Sequence, residues 1–333
     1  MAGHIPHGNT ARRLQWSFLP PALRRAIEQQ CGAPIVEAIS CDAGFTPGLA
    51  SVLIDADGGR HFVKAASVQA QRIFAEAYRE EARKLRGLPE GAPAPRLLWT
   101  LGVGPDGGPA TDGWDDWVVL GIEYVEARQP QRPWRQDDVN AVLAMLTATA
   151  PHLATAPDVL GLTPVGREFA DWPAFWERPA LAALPHAAEA AELAAGFAEA
   201  TAGEAIVHTD IRDDNLLLCD DGRVLLCDWN WPVAGAPWID SVLLLIGPRG
   251  DGLDVEPLLA AHPLTADVPP AHIDAWLALV TGYFLAMAAE AVPPTSPHIR
   301  VAQRWQGEVC WSWLAERRGW TSAVVADGVS GAR

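Results

Sequence analysis

His208-Thr209-Asp210-Ile211-Arg212-Asp213-Asp214-Asn215, followed after two short apolar runs by Asp228-Trp229-Asn230, is the stretch on which the reading of this sequence turns. The apolar runs, Asn215–Cys219 and Arg223–Cys227, are separated by Asp220-Asp221-Gly222. A turn signal between two β-prone runs predicts a hairpin. Asn215 then stands at the start of one arm and Asp228 just past the end of the other, so both can face the same metal ion. Their oxygens suit a hard cation such as Mg²⁺. Asp210 lies on the preceding loop, where a carboxylate can orient a hydroxyl and take its proton. One Asp or Asn in a loop is ordinary, because both residues favour turns. Three in register around an apolar hairpin form a set. His208 precedes the loop and is expected to brace its backbone rather than touch a substrate.

A His, an Asp and an Asn at this spacing, with a further Asp after a hairpin, match the pattern used for phosphoryl transfer from a nucleotide. Arg212 either reaches the γ-phosphate or pairs with Asp213 and Asp214. The first half of the chain supplies matching parts. Strands are predicted over 35–40, 50–55, 60–65, 96–101 and 117–124, and a helix over 68–87. Lys64 lies in the third strand. Only two of the 25 basic residues are lysines, Lys64 and Lys84. A lysine kept inside an apolar strand of an arginine-rich chain points to a need for a compact ammonium, as for gripping α/β-phosphates. Lys84 reads as a helix lysine that would tolerate Arg. A Glu on the helix should hold Lys64; Glu76, Glu80 and Glu81 are candidates, with Glu81 favoured. The loop from Gly44 to Gly48 either covers phosphates with backbone N–H groups or is a plain hairpin turn. Gly102-Val103-Gly104-Pro105-Asp106-Gly107 matches G-x-G-x-x-G literally, but its prolines and lack of a following helix argue against a dinucleotide site. Further helices fit 136–156, 186–202, 270–291 and 298–318.

The stretches HTDIRDDNLLL and LLCDWNWP, with the later Pro237-Trp238-Ile239-Asp240, resemble the aminoglycoside phosphotransferase family, whose relatives include choline kinases. The resemblance covers residues 35–315, with its specific part at 205–245. It implies an α+β, protein-kinase-like, two-lobed fold. Residues 1–33 would be an N-terminal extension, 34–127 an antiparallel-sheet nucleotide-binding lobe, 128–320 a mainly helical catalytic lobe and 321–333 a flexible tail. It implies Asp210 as catalytic Asp, Asn215 and Asp228 as Mg²⁺ ligands, Lys64 as phosphate-binding Lys and Asp240 as a structural brace of the catalytic loop. Glu123–Val125 falls at the hinge that would meet adenine through backbone groups. ATP is the expected donor, with GTP as the alternative. Two departures matter. Trp229-Asn230 replaces Phe-Gly after Asp228, and the short gap to Asp240 has no room for a peptide-binding activation segment. The first means that no Phe-flip switch is assumed; the second, with the family resemblance, favours a small-molecule acceptor: a hydroxylated antibiotic such as an aminoglycoside or nucleoside-type compound, or else an amino alcohol or sugar. A non-catalytic nucleotide-binding module is disfavoured, because Lys64, Asp210, Asn215 and Asp228 are all present.

Composition sets the outer limits. The 333 residues are 49% hydrophobic, enough for two lobes. No apolar run reaches the roughly 18 residues needed to cross a bilayer, and the N-terminus does not read as a secretory signal. Five scattered cysteines argue against a disulfide framework and for a reducing cytoplasm. The net charge is −16, which argues against nucleic acid. Residues 128–333 hold 13 Lys and Arg against 26 Asp and Glu. That excess suggests an acidic acceptor cleft for a cationic substrate, lined from Asp240, Asp251, Asp254, Asp274, Glu290 and Glu308, or simply a solvated surface. Of fifteen tryptophans, one or two are expected to line the cleft and the rest to pack in the core.

Overall fold

An antiparallel sheet of order β1-β2-β3-β5-β4 forms the first lobe, in a computed structural model that describes residues 13–41 and 47–320. Its strands are β1 (Ile35–Ser40), β2 (Leu49–Asp55), β3 (Arg60–Ser67), β4 (Leu97–Leu101) and β5 (Trp117–Ile122). The β2–β3 turn forms where the sequence places Gly58, which adopts φ +84°, a conformation that is cheap only without a Cβ. The Asp55 carboxylate locks the turn by accepting the backbone N–H groups of Asp57 and Gly59.

The central strands are apolar on both faces because both faces are covered. Leu49, Leu53, Val63, Ala65 and Val119 meet Leu23 and Ile27 of α1 (Pro21–Cys31). On the other face Ala66, Val118, Leu120 and Ile122 meet Ala75, Tyr78 and Ala82 of α2 (Arg72–Gly87). Successive strand residues point to opposite faces, so the neighbours Ala65 and Ala66 belong to different clusters. The later part of the predicted extension, α1, therefore packs as a second cover on the sheet.

The chain crosses to the second lobe through β6 (Ala127–Arg128), which pairs with β8 (Leu216–Cys219); β8 pairs in turn with β9 (Val224–Leu226). This is the predicted catalytic hairpin. A two-stranded pair of β7 (Ala205–Val207) and β10 (Val233–Gly235), not anticipated from the sequence, brackets it. Around these strands lie α3 (Gln136–Leu153), α4 (Val165–Glu168), α5 (Pro179–Ala182), α6 (Ala187–Ala195), α7 (Phe197–Ala200), α8 (Ile239–Gly250), α9 (Glu256–Ala261), α10 (Pro270–Ala288) and α11 (Ile299–Arg318). The predicted helix over 186–202 is broken at Gly196. The α8 helix was not predicted.

Contrary to the sequence reading, α10 is long and apolar enough to cross a membrane. Here it is a core helix. Trp276, Leu277, Ala278 and Leu279 are buried, and Asp274 near its start pairs with Arg317 of α11 at 2.6 Å.

The lobes are tied together at the C-terminal end of α2. Arg83 donates to the carbonyls of Val159 and Leu160. Lys84 is only 6% exposed and its Nζ donates to the Leu160 carbonyl at 2.8 Å. The expectation that Lys84 is a freely replaceable helix lysine is therefore corrected: α2 presses this turn onto the second lobe.

Candidate active site

Asp240, on the first turn of α8, accepts the backbone N–H groups of His208 at 2.8 Å and Thr209 at 2.9 Å. These bonds hold Thr209 at φ +65°, a conformation costly for a β-branched residue. Backbone strain of this kind persists only when its surroundings over-determine it. His208 adds the second brace. Its Nδ1 accepts the backbone N–H of Asp210 at 3.2 Å, and its Nε2 faces the Cys227 carbonyl at 2.9 Å. One ring therefore links the loop carrying Asp210 to the residue before Asp228. Burial keeps it neutral by lowering its pKa, and the two contacts fix the proton on Nε2.

Asp210 and Asn215 then converge. The Asn215 amide donates to the Asp210 carbonyl at 2.8 Å and to its carboxylate at 3.0 Å. Arg212 takes the pairing alternative, with Asp214 as expected and with Asp210 as well. It binds Asp210 at 2.5 Å and Asp214 at 2.9 Å. Loss of water raises the Asp210 pKa to about 6, helped by Asp214 and Asp228 and opposed by Arg212 and the Asn215 amide. A carboxyl tuned to that range is suited to general-base work near neutrality.

From the first lobe, Lys64 Nζ reaches Glu81 at 2.7 and 2.9 Å and Asp228 at 2.5 Å. Among the three glutamates weighed, Glu81 is the partner. Burial alone would lower the Lys64 pKa; the charges of Asp228 and Glu81 outweigh it and keep the ammonium charged. Burial pushes Glu81 up to about 7, with Asp228 adding to the rise and Lys64 opposing it. Asp228 itself adopts φ +67°. Lys64, Glu81, Asp210, Arg212, Asn215 and Asp228 all line one cavity of about 1100 Å³ between the lobes.

At one end the cavity is an apolar slot lined by Ala50, Val52, Phe62 and Ile122 of the first sheet and by Leu217 of the second lobe. Glu123 and Val125 border this slot. The Glu123 carboxylate is held by Arg96 at 3.0 Å. Gly44 lies outside the described residues. Gly48 does not line the cavity: a Cβ there would sit 2.7 Å from the Tyr78 hydroxyl, so close packing requires glycine. Arg13, just before α1, does line the cavity. Nothing in its sequence context singled it out.

At the other end none of the six candidate carboxylates, two or three of which were expected to face an acidic cleft, lines the cavity. Asp251 pairs with Arg132, Asp274 with Arg317 and Glu290 with Arg178. Asp240 braces the loop. In their place stand aromatic residues: Phe169, Trp172, Trp231, Tyr283 and Phe284.

The donor set bears on Mg²⁺. Among the described residues no group of three His, Cys, Asp or Glu side chains forms a metal cluster. Asn215 and Asp228 offer side-chain oxygens, and the nearby Asn230 Oδ1 is buried without a hydrogen-bond partner. A few hard oxygens fit a cation that takes the rest of its shell from phosphate and water.

Solved structures share this fold. The apo crystal structure of a thermostable mutant of aminoglycoside phosphotransferase APH(4)-Ia aligns at a TM-score of 0.57 and 13% identity, over 90% of this chain and 100% of that one. An aminoglycoside phosphotransferase from Alicyclobacillus acidocaldarius gives 0.52 and 17%, over 92% and 98%. Macrolide 2'-phosphotransferase MphH from Brachybacterium faecium gives 0.52 and 14%, over 86% and 96%. No protein-family profile and no curated protein matches the sequence. The chain thus has the two-lobed, protein-kinase-like α+β fold seen in aminoglycoside and macrolide phosphotransferases.

Proposed function

We propose that this protein is a small-molecule kinase that transfers the γ-phosphate of ATP, or GTP, to a substrate hydroxyl. One observation carries the reading: the buried Lys64–Glu81–Asp228 ion triad and the Asp210–Asn215 pair face each other across one cavity. The apolar slot beside Glu123 and Val125 suits a purine. Lys64 lies where a point charge would grip the phosphates. Arg212 orients Asp210 and adds positive charge beside it. Asp210 takes the proton of the acceptor hydroxyl as its oxygen attacks the γ-phosphorus and the nucleoside diphosphate leaves. Asn215 and Asp228 would hold Mg²⁺, which neutralises charge developing on the phosphates.

The candidate acceptors are hydroxylated antibiotics of the aminoglycoside or nucleoside type, with amino alcohols and sugars as the alternative. The test is turnover with MgATP and MgGTP across such a panel, repeated with Asp210→Ala. That variant should still bind nucleotide and lose turnover by a factor on the order of 10²–10⁴. Turnover near the wild-type level would take Asp210 out of the mechanism.

A further inference from the structure

The end of the cavity beyond Asp210 carries a wall of rings. Trp172 stacks on Tyr283 with centroids 3.9 Å apart and planes 6° from parallel. Phe169 leans on Trp172 at 4.3 Å and on Trp276 at 6.0 Å, so core packing fixes the wall from behind. Trp231 stands on the same cavity next to the catalytic loop, its carbonyl accepting the Thr209 hydroxyl. It is 63% exposed, whereas Trp229, Trp276, Trp311 and Trp313 are at most 1% exposed. An indole left in water beside a reacting carboxylate loses the burial free energy its neighbours gain. A stacked ligand would restore it.

Charge narrows the ligand further. Of the cavity carboxylates, Glu81 and Asp228 are held by Lys64, Asp210 and Asp214 by Arg212, Glu123 by Arg96, and Asp213 lies 3.8 Å from Arg132. Among the described residues, Glu168 is the one cavity carboxylate with no ion pair. It immediately precedes Phe169, at the edge of the ring wall. A polycation needs several such carboxylates, and this end offers one.

Resting on the kinase reading above, we infer that the acceptor is a hydroxylated molecule with a flat or broad apolar face and at most one amine. Its face lies on Trp172, Tyr283 and Trp231, and its amine, where it has one, meets Glu168. Its hydroxyl reaches Asp210. Between the two antibiotic types considered, the ring-bearing, weakly charged one fits and the polycationic one does not.

The experiment measures MgATP-dependent phosphorylation of three acceptor sets by the full chain: ring-bearing nucleoside-type alcohols, bulky apolar monoamine alcohols and polycationic aminosugars. The leading acceptor is then tested with Trp231→Ala and Glu168→Gln, whose side chains are exposed and whose loss does not open the core. The first two sets should be preferred. Trp231→Ala should raise acceptor KM relative to KM for MgATP by about tenfold, the scale of one lost ring stack. Glu168→Gln should raise KM for a monoamine more than for a neutral acceptor. A polycation as best substrate, with KM indifferent to Trp231→Ala, overturns the inference and leaves the kinase standing. Failure to bind nucleotide or to phosphorylate any set overturns both.

Discussion

A neutral histidine with both ring nitrogens engaged cannot take a proton and keep its partners. Protonated Nδ1 of His208 would face the Asp210 N–H as donor against donor. Burial has lowered its pKa, so the unfolded chain, near the ordinary 6.5, binds the proton first. Folding stability is then fully present above about pH 6.5 and is lost as pH falls toward the depressed folded value. The thermal midpoint should drop more steeply between pH 7 and 5 in the wild type than in His208→Gln; parallel profiles would contradict a buried neutral His208. Lysines supply a second contrast. Lys64→Arg should weaken nucleotide binding, because a planar group cannot replace a point charge held at 2.7 Å from Glu81 and 2.5 Å from Asp228. Lys84→Arg should leave nucleotide affinity alone and lower stability by about 1–3 kcal/mol through overpacking. Nucleotide titration and denaturant unfolding of the two variants separate these effects. Asp210, Asn215 and Asp228 could be picked out as a set because one loop and the hairpin after it fix their spacing. The burial of Lys84 was not, since it depends on a carbonyl far along the chain.

Helices with one wet face announce themselves and buried ones do not. The α2 helix was readable from its apolar spacing, Ala75, Tyr78 and Ala82, set among Arg and Glu. The α8 helix was missed because Ile239 through Ile246 are all buried, so no polar face marks a 3.6-residue period. Similarly, β7 and β10 are three residues each, too short for alternation to register. One side chain links the last three helices. Arg317 of α11 binds Asp274 of α10 at 2.6 Å and Glu256 of α9 at 2.8 Å. Asp274 is 4% exposed. Removing that cation leaves the buried carboxylate with only Arg318, at 3.5 Å, so Arg317→Ala should cost up to about 3–5 kcal/mol in urea unfolding. Replacing Asp274 with Asn in the same background should recover part of the loss; no recovery would mean the pair is not what ties these helices.

Over the whole molecule, a net charge of −16 invites the expectation of a cation-steering cleft, and the distribution of ion pairs argues against it. The excess lies in the second lobe, yet Asp274 and Glu290 are matched to Arg317 and Arg178 away from the cavity, and Asp251 is matched to Arg132 at its edge. Within the cavity, Lys64, Arg132 and Arg212 sit among the carboxylates. Fold class and lobe order were legible because strand and helix periods are local. The destination of each carboxylate was not, because ion pairs such as Arg132–Asp251 join residues 119 positions apart. Long-range steering acts through exposed, unpaired charge and is screened within about 8 Å at 0.15 M salt. Among the described residues one carboxylate at the acceptor end has no ion pair, so few free charges remain there for salt to screen. KM for the best acceptor, at fixed free Mg²⁺ and saturating nucleotide, should therefore change by less than about threefold between low salt and 0.5 M. A KM that climbs steeply with salt would show that charge, rather than the ring wall, gathers the substrate.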